Sequence, residues 1–410
     1  MTQLHSNTPD ERIARRVVLV SGVAVFIIFG IRLSFSVFFA EFVSAEGWSN
    51  EAAASIFSVS MLAFALGSAP SGALLDRFGP RITFTGGALL LAIGLFLSST
   101  ATTIEQLTIA YGLIGGLGLS VIGLGPVAAN VAGWVPMHRR GRAIGIAFAG
   151  TGLGSLIFVP LANFLIDGLG WRGAYLALSL LCVLGLAPLL AWGQRRPPPL
   201  DLPLKSSSQA VPKMGLRPLL RKPAFWLLLF VSFNALGPLR SLTVHQVAYI
   251  ESTGIPRSIA SAFVGLAGFL TAITFVGWGW VSDRWGRGWA FSLGALCLTG
   301  AVGVLILLDR THSVALLPLY SLLLALGEGT RSSQTTALAS DVFSSGGLGL
   351  VNGIVGAMFG LGAAFGPWIV GRLKDLTGSY GPGLLVVVIM VTASVIGFLL
   401  ISYLMKRQQK

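Results

Sequence analysis

Residues 72–81 read Gly72-Ala-Leu-Leu-Asp76-Arg77-Phe-Gly79-Pro-Arg81, and a near copy returns as Gly279-Trp-Val-Ser-Asp283-Arg284-Trp-Gly286-Arg287. In both, Gly stands four before the Asp, Arg follows it directly, and Gly comes three after it. Gly87-Ala88 and Gly294-Ala295 fall at matching distances downstream. The two aspartates are 207 residues apart, about half of the 410-residue chain. One design repeated twice, each copy interrupted by an acidic-basic hinge, is the signature of an internal structural repeat.

The composition surrounding the repeat places it in a membrane. The chain is 54% hydrophobic and 10% charged, against about 25% charged for soluble proteins. Apolar stretches recur that are long enough to cross a hydrocarbon core of roughly 30 Å. The 53 glycines suit helices that pack backbone to backbone in lipid. A net charge of +13 would suggest nucleic acid in a soluble protein. Here the basic residues concentrate in short loops on one side, as the positive-inside rule expects, so no nucleic-acid partner is inferred. Cys182 and Cys297 lie inside apolar runs, which argues against a disulfide framework or a metal site. Arg12, Arg15 and Arg16 precede the first apolar run, and no small-residue cleavage site follows it, so that run is read as a retained helix.

The apolar runs predict twelve spans, at roughly 17–40, 52–75, 81–100, 106–134, 142–166, 172–192, 223–249, 258–282, 289–308, 313–340, 348–371 and 381–404. The stretch from Arg195-Arg-Pro-Pro-Pro to Lys222 is too polar and proline-rich to span. The expected organisation is therefore a six-helix bundle over 1–194, a linker over 195–222 and a second six-helix bundle over 223–410. With the N-terminus inside, cytoplasmic segments hold 20 of the 28 Lys and Arg and the opposite side holds five. Both termini are then cytoplasmic and the cell membrane is the expected location.

An all-α membrane protein of twelve helices in two pseudo-symmetric bundles, with this hinge between the second and third spans of each half, resembles the major facilitator superfamily over its whole length. The fifth span, Val135-Pro-Met-His-Arg-Arg140-Gly-Arg142 through Gly154, leads on to Gly170-Trp171-Arg172-Gly173. Together with Gly366-Pro367 to Asp375-Leu-Thr-Gly378-Ser-Tyr380 and His245-Gln-Val-Ala-Tyr249, it looks like the monocarboxylate transporter family and its oxalate/formate-type microbial relatives. The Gly-Pro motif of drug/proton antiporters is missing from span five. The acidic-Gly-Gly-Trp-type opening of span one in the animal proteins is absent as well. So is their Asp/Arg pair in span eight, where Thr271 and Phe275 stand. Their basic residue of span one aligns with Leu33, beside Arg32. The resemblance implies an organic anion more firmly than it implies lactate.

Few ionisable residues fall inside spans: Arg32, Arg240, His245, Glu328 and Arg331. Burying such a group unpaired costs several kcal/mol, so each is a functional candidate. They lie in spans one, seven and ten, which the superfamily resemblance makes cavity-lining helices. Arg32 and Arg240 are within one residue of repeat equivalence, each a few residues beyond the middle of its span. Glu328 and Arg331 are at i, i+3 and able to pair along one helix, which would leave the cavity at +2. Excess positive charge suits a carboxylate, which guanidinium grips with two hydrogen bonds. Phe35, Tyr111, Asn130, Asn234 and Phe359 are candidates for the rest of the pocket. Asp76, Arg77, Arg81, Asp283, Arg284 and Arg287 are read as a conformational gate whose Asp pairs in one state and releases in the other.

The expected activity is alternating access around a midplane anion site, moving a small monocarboxylate such as lactate or pyruvate with proton symport. Glu328 and His245 are the titrating candidates, since arginine does not deprotonate. In one scheme, protonating Glu328 frees Arg331 for the carboxylate. Exchange of dicarboxylates of the oxalate/formate kind is the alternative, and export of drugs or amphiphiles is a second, which the arginines disfavour. The glycine-rich run Gly112–Gly125 follows no strand and is helix packing, not a nucleotide loop. No P-loop, paired catalytic carboxylates or Ser/His/Asp spacing is present, so neither an enzyme nor a cofactor is expected. The expected partners are the anion, protons and the bilayer, with the chain a monomer.

Overall fold

The computed structural model describes residues 9–197, 220–343 and 348–408. Most of the linker, 198–219, lies outside the described residues. Among the described residues, nine helices are long and apolar enough to cross a bilayer. Two of them hold two spans each. Asn50–Thr100 reverses at Gly79 (φ 78°, ψ 167°) and Arg140–Gly193 reverses at Gly170 (φ 68°, ψ 167°). Leu317–Val342, interrupted by Glu328, Arg331 and Gln334, is too polar to be counted by composition but is a helix of span length. With these included, the helices make the twelve passages expected. Span one is broken at Ser34, between Pro9–Leu33 and Phe35–Ser44.

The repeated loop turns out to be almost no loop. Helix runs through Asp76 and Arg77, and the chain turns at the glycine three after the Asp. Gly286 in the second copy has the same left-handed backbone (φ 90°, ψ 155°). An L side chain there would press its Cβ on the carbonyl, which is why both copies end on Gly. The five–six and eleven–twelve turns repeat the pattern, with Gly170 at φ 68° and Gly378 at φ 71°, 208 residues apart.

Spans two and five of the first half pack on spans eleven and eight of the second through small residues. An added Cβ on Gly360 would sit 2.3 Å from the Ala65 Cβ, and one on Gly152 would sit 2.6 Å from the Ala272 Cβ. At the end of the bundle far from the termini, the halves are sealed. Asp375, at the end of span eleven, accepts from the backbone N–H of Asn50 (2.9 Å) and of Glu51 (2.7 Å), the first residues of span two. The Asn50 amide adds a third bond (2.8 Å), and Tyr380 donates to Asn50 Oδ1 (3.1 Å). Arg257 of span eight pairs with Glu41 and bonds Ser44 (3.0 Å) of span one. At the end carrying the termini the halves part, and a cavity opens between them.

Candidate functional site

The cavity measures about 1300 Å³ and is lined by residues of both halves. Its charged groups are Arg32, Arg142, Arg240 and Glu328. Three arginines against one glutamate leave a charge of +2, matching the expected value with a different arrangement.

Arg32 sits two residues before the break in span one. Its Nη2 donates to the Met61 sulfur (3.0 Å), and its guanidinium lies 4.7 Å from the Phe64 ring and 5.6 Å from the Phe29 ring. No carboxylate among the described residues pairs with it. A thioether and two ring faces attract a cation weakly, so Arg32 keeps an unneutralised charge toward the cavity. Arg240 follows Pro238, whose ring removes one helical hydrogen bond in mid-span. Its Nη2 donates to Glu328 Oε1 (3.2 Å), and its Nε has no partner. Thr271 of span eight donates to the other Glu328 oxygen (3.3 Å).

This geometry corrects the expected Glu328–Arg331 pair. Residues three apart on a helix are only about 60° apart in rotation, yet the two side chains take different partners here. Glu328 faces the cavity. Arg331 points into the second bundle, fully buried, with its Nη1 on Ser394 Oγ (2.8 Å) and its guanidinium 4.6 Å from the Phe291 ring. Arg331 Nε and Nη2 have no hydrogen-bond partner among the described residues.

The remaining candidates are spread through the molecule rather than gathered at the cavity. Phe35 stacks on Tyr111 (5.1 Å between centroids), both buried beside span one. Asn130 is at the terminal end of span four, donating to Gln194 Oε1 (2.7 Å). Asn234 donates to the Phe230 carbonyl (2.9 Å) within its own helix. Phe359 packs against the core of the second bundle. His245 is buried in the distal seal, its Nε2–H donating to the Pro367 carbonyl (2.9 Å), with Phe39 of the first half edge-on at 4.6 Å.

The hinge residues lie at the terminal end. Arg287 pairs with Asp341 (2.6 Å), and Arg77 and Arg284 lie over Phe78 and Trp280. Among the described residues, neither Asp76, Asp283 nor Arg81 is in an ion pair. The Asp76 carbonyl accepts from Arg196, and Trp134 donates to the Arg195 carbonyl (3.1 Å), so the start of the linker docks on the first hinge. The sequence reading missed Met61, Phe64, Thr271 and Arg142 as site residues. Arg142 carried a signal as the third arginine of the span-five motif, and Thr271 as the residue standing where the family's span-eight pair falls.

Comparison with known proteins agrees with this architecture. The model of the Major Facilitator Superfamily matches residues 20–307 and 240–409. Monocarboxylate transporter 13 of Bos taurus is 29% identical over 370 residues, covering 86% of this chain and 81% of its own. Monocarboxylate transporter 12 of Rattus norvegicus is 27% identical over 409 residues (92% and 82%). The nitrite extrusion protein of Bacillus subtilis is 28% identical over 320 residues (77% and 76%). Among solved structures, the nucleoside transporter NupG superposes with a TM-score of 0.78 at 13% identity, covering 94% of this chain and 99% of that one. A D-xylose–proton symporter gives 0.68 at 18%, covering 95% and 96%; these two show likeness of fold alone. The chain belongs to the Major Facilitator Superfamily: it is a multi-pass membrane transporter, not an enzyme, and within the superfamily it resembles the monocarboxylate transporter group.

Proposed function

We propose that the protein carries an organic monocarboxylate across the cell membrane together with a proton, by alternating access of the bundles 1–194 and 223–410 around the cavity that holds Arg32, Arg240 and Glu328. One observation carries the reading: among the described residues, an arginine without a counter-ion shares a cavity with an arginine whose only ionic partner is a glutamate. Arg32 attracts the anion from either side. Protonating Glu328 removes the charge that occupies Arg240 and frees its guanidinium for the carboxylate. This replaces Arg331 with Arg240 in the coupling scheme. The relatives named for monocarboxylate and nitrite transport support an anionic substrate. With the basic loops and both termini in the cytoplasm, the cavity faces inward and the Asp375–Asn50 seal faces outward. The net positive cavity disfavours amphiphilic cations as cargo.

The test is uptake of a labelled monocarboxylate such as lactate into proteoliposomes, with and without an inward proton gradient. Gradient-driven uptake is expected in the parent and lost in Arg240→Gln. In Glu328→Gln, uptake is expected to become independent of pH. Full proton-driven accumulation by Glu328→Gln would sink the coupling scheme, and uptake that requires internal anion would establish exchange instead.

A further inference from the structure

We propose that the site favours a monocarboxylate whose carboxylate carries an apolar body extending about 5 Å toward the cavity mouth over a two- or three-carbon acid or a dicarboxylate. The inference rests on the anion site proposed above and concerns what surrounds it.

Arg32, Arg240 and Thr271 each have an apolar neighbour one turn away on the mouth side, while Glu328 has Ser332 there. Phe29 precedes Arg32 by three residues, Leu236 precedes Arg240 by four, and Phe275 follows Thr271 by four on a helix running the other way. All three line the cavity and are partly or largely exposed to it. At 1.5 Å per residue, they form a collar whose backbone lies about 4.5–6 Å along the helices from that of Arg32, Arg240 and Thr271.

On the distal side of the charges the lining mixes polar residues with the apolar Val264, Ala267 and Leu324. Thr243 and Gln246 follow Arg240 toward the distal seal. The Gln246 amide already donates to the Thr243 carbonyl (3.2 Å), and its oxygen accepts from Tyr320 (2.9 Å). A molecule whose carboxylate meets Arg32 and whose body points toward the open end has that body among Phe29, Leu236 and Phe275. Lactate ends one carbon beyond the carbon that bears its hydroxyl and does not reach the collar. A four- or five-carbon body does, at roughly 1.3 Å of advance per bond along a zigzag. The second carboxylate of a short dicarboxylate would lie in the collar, where no cation stands among the described residues. The remaining cavity arginine, Arg142, is exposed at the rim.

The test is equilibrium binding to the full-length protein in lipid nanodiscs of lactate, 2-hydroxybutyrate, 2-hydroxycaproate and malate, all ionised. Burial of each added methylene lowers Kd about fourfold. The step from lactate to 2-hydroxycaproate is then expected to be roughly 50-fold, with malate no tighter than lactate. In Leu236→Asn, and separately in Phe275→Ser should the first fail to fold, the ratio of the lactate and 2-hydroxycaproate constants is expected to shrink at least about fourfold. A flat chain-length series, a ratio unmoved in both variants, or malate as the tightest ligand would overturn this inference while leaving the anion site standing. Absence of binding by all four acids, or binding undiminished in Arg32→Gln, would instead defeat the anion site itself.

Discussion

Replacing Asp375 with Asn probes how the two halves hold their distal ends together. The carboxylate accepts three hydrogen bonds from Asn50 and Glu51, two of them from backbone N–H groups at the start of span two. A helix N-terminus carries partial positive charge, so this is a charge–dipole contact across the two halves. Hydrogen bonds to a charged group contribute about 1.5–3 kcal/mol each. Asn keeps one acceptor oxygen but loses the charge, and it turns an amide donor toward one of the N–H groups. The Glu51 bond is solvent-exposed, which places the loss near the lower end, about 2 kcal/mol. That is roughly a 30-fold shift toward distal opening. Ser58 reports on it: it is buried in the same contact, its Oγ bonded to the Ala364 carbonyl (2.6 Å). With Cys182 and Cys297 removed and Ser58→Cys introduced, an impermeant thiol reagent applied from the distal side labels at a rate proportional to the open fraction. Asp375→Asn is expected to raise that rate roughly 30-fold. A rate within about threefold of the parent would refute the reasoning, because the seal would then rest on its other contacts, the Arg257–Glu41 pair and the small-residue packing among them.

Two further outcomes follow from the repeat and from the ion pair. Gly79→Ala and Gly286→Ala place a side chain in left-handed backbone and are expected to lower stability by about 1–2 kcal/mol each, seen as a lower melting temperature in detergent. Gly72→Ala and Gly279→Ala, whose added Cβ meets nothing within 4 Å, are expected to leave that temperature unmoved; equal effects in both pairs would discredit the backbone explanation. For the ion pair, the double variant Thr271→Asp with Glu328→Gln is expected to regain the proton-driven uptake that Glu328→Gln alone loses, because Thr271 Oγ1 already touches the Glu328 carboxylate. Failure of that rescue in a folded protein would show that the helix bearing the acid matters, not its location.

What the sequence made legible was whatever depends on composition along the chain. The spans are apolar runs, the linker is a polar and proline-rich interruption, and the hinge glycines recur at one offset. What it hid depends on rotation about helix axes. Span ten has no strongly amphipathic face, so nothing in its sequence says that Glu328 looks into the cavity while Arg331 looks at Phe291 and Ser394. Depth was hidden too. Asn130 belongs to a cavity helix but sits at its terminal end, where its amide meets Gln194. Met61 and Phe64 were invisible because an apolar residue facing a cation looks, in one dimension, like any other residue of a span.

The ion pair also accounts for a departure from the family pattern. Related carriers hold an Asp/Arg pair on span eight, where this chain has Thr271 and Phe275. Here the acid arrives from span ten and the base from span seven, yet the acid rests on the Thr271 hydroxyl. The carboxylate thus occupies the neighbourhood of span eight although another helix supplies it. The two arrangements differ mechanically. A pair on one helix keeps its separation however the bundle tilts. A pair between spans seven and ten, on helices interrupted by Pro238 and by the polar run from Glu328 to Gln334, changes its separation when those helices move. Under the proposed mechanism, occupancy of the cavity by an anion and the position of spans seven and ten then compete for the same guanidinium. That competition ties substrate binding to the conformational step without a separate switch.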